Sequence, residues 1–214
     1  MTTDKDIKII HSDAYIVVVE KPSGMLAVPG RGADKQDCVV NRIKKLFPKC
    51  IDQPAVHRLD MYTSGLMVIA LTAEAHRHVS KQFEGRLVQK RYIALLDGLL
   101  KKKSGEIELA FRLDPDNRPY QVYDPVQGKV GISKWRKIRI EGNRTRVEFT
   151  PLTGRTHQLR LHASHELGLN CPIIGDRLYG NGKEGDQMLL HASYLQFQHP
   201  QNAETVLFES RAPF

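Results

Sequence analysis

The feature that most narrows what this chain can fold into is the succession of strand-like runs that begins at Tyr92. Residues Tyr92 to Leu96, Ile107 to Phe111, Lys134 to Ile140 and Arg146 to Thr150 are rich in β-branched or aromatic side chains, and Gly, Asn or Pro clusters separate them. Four such runs in series predict an antiparallel-rich sheet. Ahead of them, Tyr15 to Glu20 reads as a strand stopped by Lys21-Pro22-Ser23-Gly24, and Leu66 to Leu71 as a buried strand. Helical spacing of Val39, Val40, Ile43 and Leu46 predicts an amphipathic helix over Cys38 to Phe47, ended by Pro48. Thr72 is placed to cap a second helix from Ala73 to Glu84, with Gly85 at its end. Thr156 to Leu167 has helix-compatible spacing, and Leu189 to Phe197 and Thr205 to Phe208 read as closing strands. The expected class is therefore α+β, with more β than α.

No repeat, low-complexity tract or long linker divides the chain, so a single catalytic domain over residues 1–214 is expected. Hydrophobic residues at 41% and charged residues at 26% match an ordinary globular protein. The excess of 32 Lys+Arg over 24 Asp+Glu, a formal charge of +8, would draw in a polyanion; a merely solubilising basic surface is the plain alternative. Cys38, Cys50 and Cys171 lack zinc-ribbon or CxxC spacing and read as reduced thiols. The start MTTDKDIKII is not signal-like and no stretch approaches a membrane span, which predicts a cytoplasmic protein without membrane attachment.

The densest polar cluster is His57-Arg58-Leu59-Asp60-Met61-Tyr62-Thr63-Ser64-Gly65, directly before an apolar run. It marks a loop at a sheet edge, where rigid scaffolds present reactive groups; an Asp in such a turn is otherwise a local hydrogen-bond acceptor. Read as HRLDxxTSG, and taken with Lys21-Pro22-Ser23-Gly24, Lys90-Arg91-Tyr92 and Gly154-Arg155-Thr156-His157-Gln158-Leu159-Arg160, the chain resembles the RluA family of pseudouridine synthases. Four motifs match in order. Gly175-Asp176 and Leu189-Leu190-His191-Ala192 extend the similarity, which runs from about Ile9 to Phe214.

The resemblance implies a pseudouridine synthase fold, with a central, largely antiparallel mixed sheet and flanking helices. It implies isomerisation of selected uridines in structured ribosomal or transfer RNA, with no metal and no organic cofactor. Asp60 matches the catalytic carboxylate, Arg160 the arginine that pairs with it, and Tyr92 the tyrosine that packs at the target base and is implicated in proton removal from C5. Arg58 matches the residue that occupies the space of a flipped nucleotide, with phosphate binding as its alternative role. His57 is read as support for the loop, without a proton-transfer duty. Whether the carboxylate attacks the sugar or promotes a glycal route stays open, as does the identity of the RNA. The short N-terminal segment leaves little room for the S4-like domain of some relatives, so no such separate domain is expected, nor an obligate protein partner, and a monomer is expected.

Candidate RNA contacts beyond the loop are Arg155 and the basic tract Lys129, Lys134, Arg136, Lys137, Arg139, Arg144 and Arg146, with Trp135 as a stacking face or, alternatively, a core residue. Lys101-Lys102-Lys103 reads more simply as an exposed turn. A metal hydrolase using His157, His162, His165 and His191 is the rival enzyme class, although their spacing matches no strong zinc signature. A noncatalytic RNA-binding module would keep the charge but has no need of Asp60, Tyr92 and Arg160 together. The likeness of HRLD to a kinase loop is a coincidence, because no glycine-rich nucleotide loop or DFG accompanies it.

Overall fold

The computed structural model of the chain describes residues 7–214. They form an α+β fold whose contacts group into two compact units. One comprises the described residues up to Lys90 together with His191–Pro213; the other comprises Arg91–Leu190 with Phe214.

The first unit contains β1 (Lys8–Ser12), β2 (Ile16–Lys21), β3 (Ser64–Ala70), β9 (Leu190–Gln198) and β10 (Thr205–Glu209). β2 pairs antiparallel with β1 and β3, β10 pairs antiparallel with β9, and β3 and β9 run parallel through Ser64↔His191 and Gly65↔Ala192. The sheet is thus mixed. β3 is buried along its whole length, as the unbroken run Gly-Leu-Met-Val-Ile-Ala requires of a strand covered on both faces. One of those faces meets α2 (Ala73–Glu84), whose Ala75 and Val79 pack with Ile16, Val18, Leu66, Val68 and Leu195. Thr72 caps α2 by accepting from the Ala75 N–H at 3.1 Å. On α1 (Val39–Leu46), Val39, Val40 and Ile43 are the buried residues, and the thiol of Cys38 accepts from the Asn41 N–H at its start.

The second unit is an antiparallel sheet in the order β4 (Gln89–Asp97), β8 (Arg144–Pro151), β7 (Lys129–Glu141), β5 (Ser104–Leu113) and β6 (Gln121–Tyr123). Alternation along β5 and β7 turns Ile107, Leu109, Phe111 and Trp135 inward, where α3 (Gln158–Ser164) lies against the same two strands. Trp135 is a core side chain and not a stacking face. The period-two pattern could not decide this, because it leaves open which of two alternating sets faces in. No helix among the described residues is long and apolar enough to cross a membrane.

Candidate active site

The register Lys21↔Gly65 at the end of the β2–β3 pair brings the turn after β2 alongside the loop before β3. Their polar groups then interlock. The Met61 carbonyl accepts from the Gly24 N–H at 2.9 Å and from Lys21 Nζ at 2.8 Å, and the Tyr62 carbonyl accepts from Ser23 Oγ at 2.8 Å. Gly24 makes this approach with φ 88°, a conformation that favours glycine. The Thr63 N–H closes the turn on the Asp60 carbonyl at 3.1 Å. The Lys-Pro-Ser-Gly motif thereby fixes the backbone immediately after Asp60, whose side chain is left half-buried.

Lys21 is wholly buried and also donates to the carbonyls of Met25 (2.8 Å) and Pro22 (3.0 Å). Burial pushes its pKa down to about 7, and the nearby Asp60 carboxylate opposes that fall. The sequence marks this lysine only as the first letter of a turn. Nothing local announces that it is buried, since a Lys before Pro is ordinarily solvated.

The loop is held on its other side as well. Segment 54–57 runs along β3, with the Ala70 N–H on the Pro54 carbonyl (2.9 Å) and the Val68 N–H on Nε2 of His57 (3.1 Å). An Nε2 that accepts must be unprotonated, so the ring proton sits on Nδ1. The His57 ring stacks on Phe83 at 4.5 Å, and desolvation, then Lys90, holds its pKa down at about 3. His57 therefore supports the loop as a neutral acceptor. From it, Arg58 projects to solvent while Leu59 is buried.

At the far end of the loop, Ser64 Oγ lies 2.9 Å from Nδ1 of buried His191, whose Nε2 lies 2.9 Å from Ser210 Oγ, which donates to Glu20 at 2.6 Å. A carboxylate can only accept, so the chain has one direction: Ser64 donates to a neutral His191, which donates to Ser210. Burial lowers the His191 pKa, in keeping with that neutral form. Gly65 is obligatory beside it. At φ +112° an added Cβ would stand 2.3 Å from the Ala192 carbonyl oxygen.

In the second unit, α3 carries Arg160, which is 4% exposed. Its Nε and Nη2 form a fork on Asp176, at 2.7 and 2.6 Å, and Asp176 also accepts the N–H groups of Leu178 and Tyr179. The Tyr179 ring lies against the guanidinium at 5.0 Å. Gln158 locks the preceding loop by using its whole amide. Its nitrogen donates to the Ile132 carbonyl and Ser133 Oγ, while its oxygen accepts from Thr153 Oγ1 and the Arg155 N–H. Arg155 is exposed, with Nε directed at the Val130 carbonyl. Tyr92 sits half-buried on β4, opposite Phe149 of β8.

The basic tract is less uniform than its sequence suggests. Arg136 pairs with Glu148 at 2.7 Å, Arg139 with Glu141 at 2.7 Å, buried Arg146 with the same Glu141, and Lys137 donates to the Leu100 carbonyl. Lys129, Lys134 and Arg144 reach solvent. The four histidines proposed for a metal have other partners or surroundings: His157 bonds Tyr179, His165 accepts from the Leu167 N–H, His191 bridges two serines, and His162 is buried against Phe111. Among the described residues no group of three or more His, Cys, Asp or Glu is arranged to hold a metal ion.

Residues 15–165 match the family described as RNA pseudouridylate synthase. The chain belongs to this family. Within the family it lies in the RluA group, being 41% identical over 212 residues to the dual-specificity RNA pseudouridine synthase RluA of Haemophilus influenzae, across 97% of this chain and 94% of that protein. Identity to the Escherichia coli K12 protein of the same name is 38% over 210 residues, across 96% and 93% of the two chains. Among solved structures, human RNA pseudouridylate synthase domain containing 1 superposes with a TM-score of 0.80 at 28% identity, covering 100% of this chain and 86% of that one. A member of this family is an isomerase acting on RNA, and the metal-hydrolase alternative is set aside. Asp176, Lys21, Gln158 and Tyr179 are the site-building residues that motif reading did not single out. Three of them lie inside matched motifs, and Tyr179 follows Asp176 at the spacing of one tight turn.

Proposed function

We infer that this chain converts specific uridines to pseudouridine in structured ribosomal RNA, transfer RNA or both, with Asp60 as the essential carboxylate. The observation that carries this reading is the clamp on the Asp60 loop. Three donors from one turn hold two consecutive carbonyls after a half-buried carboxylate, a degree of backbone fixation suited to a group that must meet a reacting carbon. The dual specificity named for the bacterial relatives supports a range of more than one RNA substrate.

Substrate and product are isomers. The N1–C1′ bond breaks, the uracil turns, a C5–C1′ bond forms, and the C5 proton leaves while N1 gains one. Asp60 serves as nucleophile or electrostatic partner at the sugar, and Tyr92 takes the role of the family tyrosine in removal of the C5 proton. Arg160 takes the role of the family arginine that pairs with the catalytic carboxylate, and Asp176 sets the geometry of its guanidinium. A base within folded RNA must be extruded to be reached, and exposed Arg58 fills the space it leaves. Phosphate contacts come from Arg155, Lys134 and, to the extent that Glu148 releases it, Arg136. The protein works as a cytoplasmic monomer in one catalytic domain spanning 1–214.

Asp60→Asn tests the assignment, since it keeps the size and much of the polarity while removing the anion. In a single-turnover assay on an RNA accepted by the wild type, the folded variant should form no pseudouridine while binding that RNA within a few-fold of wild-type affinity. Conversion at near the normal rate would reject Asp60 as the catalytic group.

A further inference from the structure

Three features of the second unit that are separate in sequence meet at Tyr179. The first is the β5–β6 hairpin. Its turn is closed from within by the Asp114 N–H on the Tyr120 carbonyl (2.9 Å) and by Asp114 accepting from Asp116 and Asn117. Gln121 stands opposite Leu113, one residue beyond the Asp114–Tyr120 bond, so by alternation its N–H points away from β5. β6 pairs only with β5 among the described strands, so that N–H faces an open edge. Tyr179 Oη takes it up at 2.8 Å.

The second feature is the entry to α3. His157 occupies the residue before the helix in a left-handed conformation, φ 57°, and its Nδ1 lies 2.7 Å from Tyr179 Oη. The phenol oxygen accepts from Gln121 and shares its second bond with Nδ1 of His157, so one hydroxyl ties the hairpin edge to the start of α3. The third feature is Arg160. The face of the Tyr179 ring backs its guanidinium at 5.0 Å, and the Tyr179 N–H binds the same Asp176 carboxylate that holds the arginine.

We propose that Tyr179 is a positioning residue that couples RNA engagement at the β5–β6 turn to the setting of Arg160. Its hydroxyl anchors the hairpin and its ring face holds the guanidinium. The turn displays exposed Arg118 and Tyr120, a cation and an aromatic of the kind that unpaired RNA bases and phosphates take up, and the Tyr120 ring meets Tyr179 edge-on at 5.8 Å. A base stacked on Tyr120 thus bears directly on the ring behind Arg160. The coupling rests on the reading of Arg160 as part of the reaction machinery given above.

Tyr179→Phe removes the hydroxyl, and with it the bonds to Gln121 and His157, while keeping the ring against Arg160. Hydrogen exchange at the Gln121 amide should quicken by about tenfold or more, with the Asp114 amide inside the hairpin unaffected. The KM for RNA should rise about threefold or more, while the single-turnover rate at saturating RNA falls by no more than about twofold. Gln121→Pro deletes the same bond from the other side, at an edge position that tolerates proline, and should reproduce the KM effect without adding to it in the double variant. Tyr179→Leu removes the ring as well and should lower the saturating rate by about tenfold or more. Unchanged Gln121 exchange in Tyr179→Phe, additive effects in the double variant, or a folded Tyr179→Leu no slower than Tyr179→Phe would each overturn the coupling. Arg160→Lys in the same assay separates the two readings: normal turnover there would remove Arg160 from the machinery, whatever the hairpin measurements show.

Discussion

Replacing Lys21 by Met should produce a stability difference that depends on pH in a way the burial of this lysine dictates. In the folded protein its pKa is pushed from 10.5 down to about 7, and the side chain is 0% exposed, so no solvent screening reduces the effect. A lysine whose folded pKa lies below its unfolded one binds fewer protons folded than unfolded between the two values. Stability therefore rises with pH across that window. Linkage puts the cost of burying this group at about 4 kcal/mol at pH 7 and about 2 kcal/mol at pH 9. Against that cost stand the carbonyls of Pro22 and Met25, which would lose the ammonium at about 1–3 kcal/mol each, whereas the Met61 carbonyl keeps the Gly24 N–H. Lys21→Met should thus lie within about 2 kcal/mol of the wild type at pH 7 and become less stable relative to it by about 2 kcal/mol more at pH 9. Denaturant unfolding of both proteins at the two pH values measures this difference, and groups common to both cancel. A gap that stays constant within about 0.5 kcal/mol would show that the three carbonyls keep the ammonium charged throughout, and the desolvation argument would fail.

Three further outcomes are expected. Gly65→Ala should cost roughly 3 kcal/mol or more in thermal or denaturant unfolding, since its Cβ would stand 2.3 Å from a backbone oxygen at positive φ; wild-type stability would refute the close approach. His162 is buried and its pKa is pushed down to about 4, so the unfolded chain binds the proton first and stability falls as pH drops from about 6.5 towards 4. His162→Phe should remove about 2 kcal/mol of the loss between pH 7 and 4.5, and an unaltered acid profile would count against the assignment. RNA affinity should fall with rising salt, and Lys134→Ala should flatten the log–log slope by about one. Arg136→Ala should flatten it less, because Glu148 already neutralises that arginine; equal effects would mean that RNA displaces the ion pair.

Where side chains are strongly periodic, the fold could be read ahead of the structure. The Thr72 cap and α2 stand at the expected residues, and the buried runs of β2 and β3 differ from expectation only at their ends. β1 and β6 were not foreseen. They are short edge strands with no buried residue, whose existence depends on the partner beside them and not on their own pattern. β7 begins at Lys129 and not at Lys134 for the same reason, since pairing with β5 extends it through residues of weak apolar content. In the site, motif order located the loops but not the bonds that connect them. That Lys21 is buried, that Arg160 is oriented by Asp176, and that Trp135 faces inward are facts about residues far apart in sequence, and no local spacing encodes them.

The directed chain from Ser64 through His191 to Ser210 and Glu20 also bears on how this protein is made. The loop that carries Asp60 is complete early in translation, yet its far anchor is a histidine near the other end of the chain, and the strand that closes over Gly65 is the one containing that histidine. The first unit is built from two stretches of chain, with all of Arg91–Leu190 synthesised between them. A nascent chain still on the ribosome, itself mostly RNA, therefore carries Asp60 on a loop without its final support until His191 has emerged, and chains truncated before that residue should lack the anchor on Ser64.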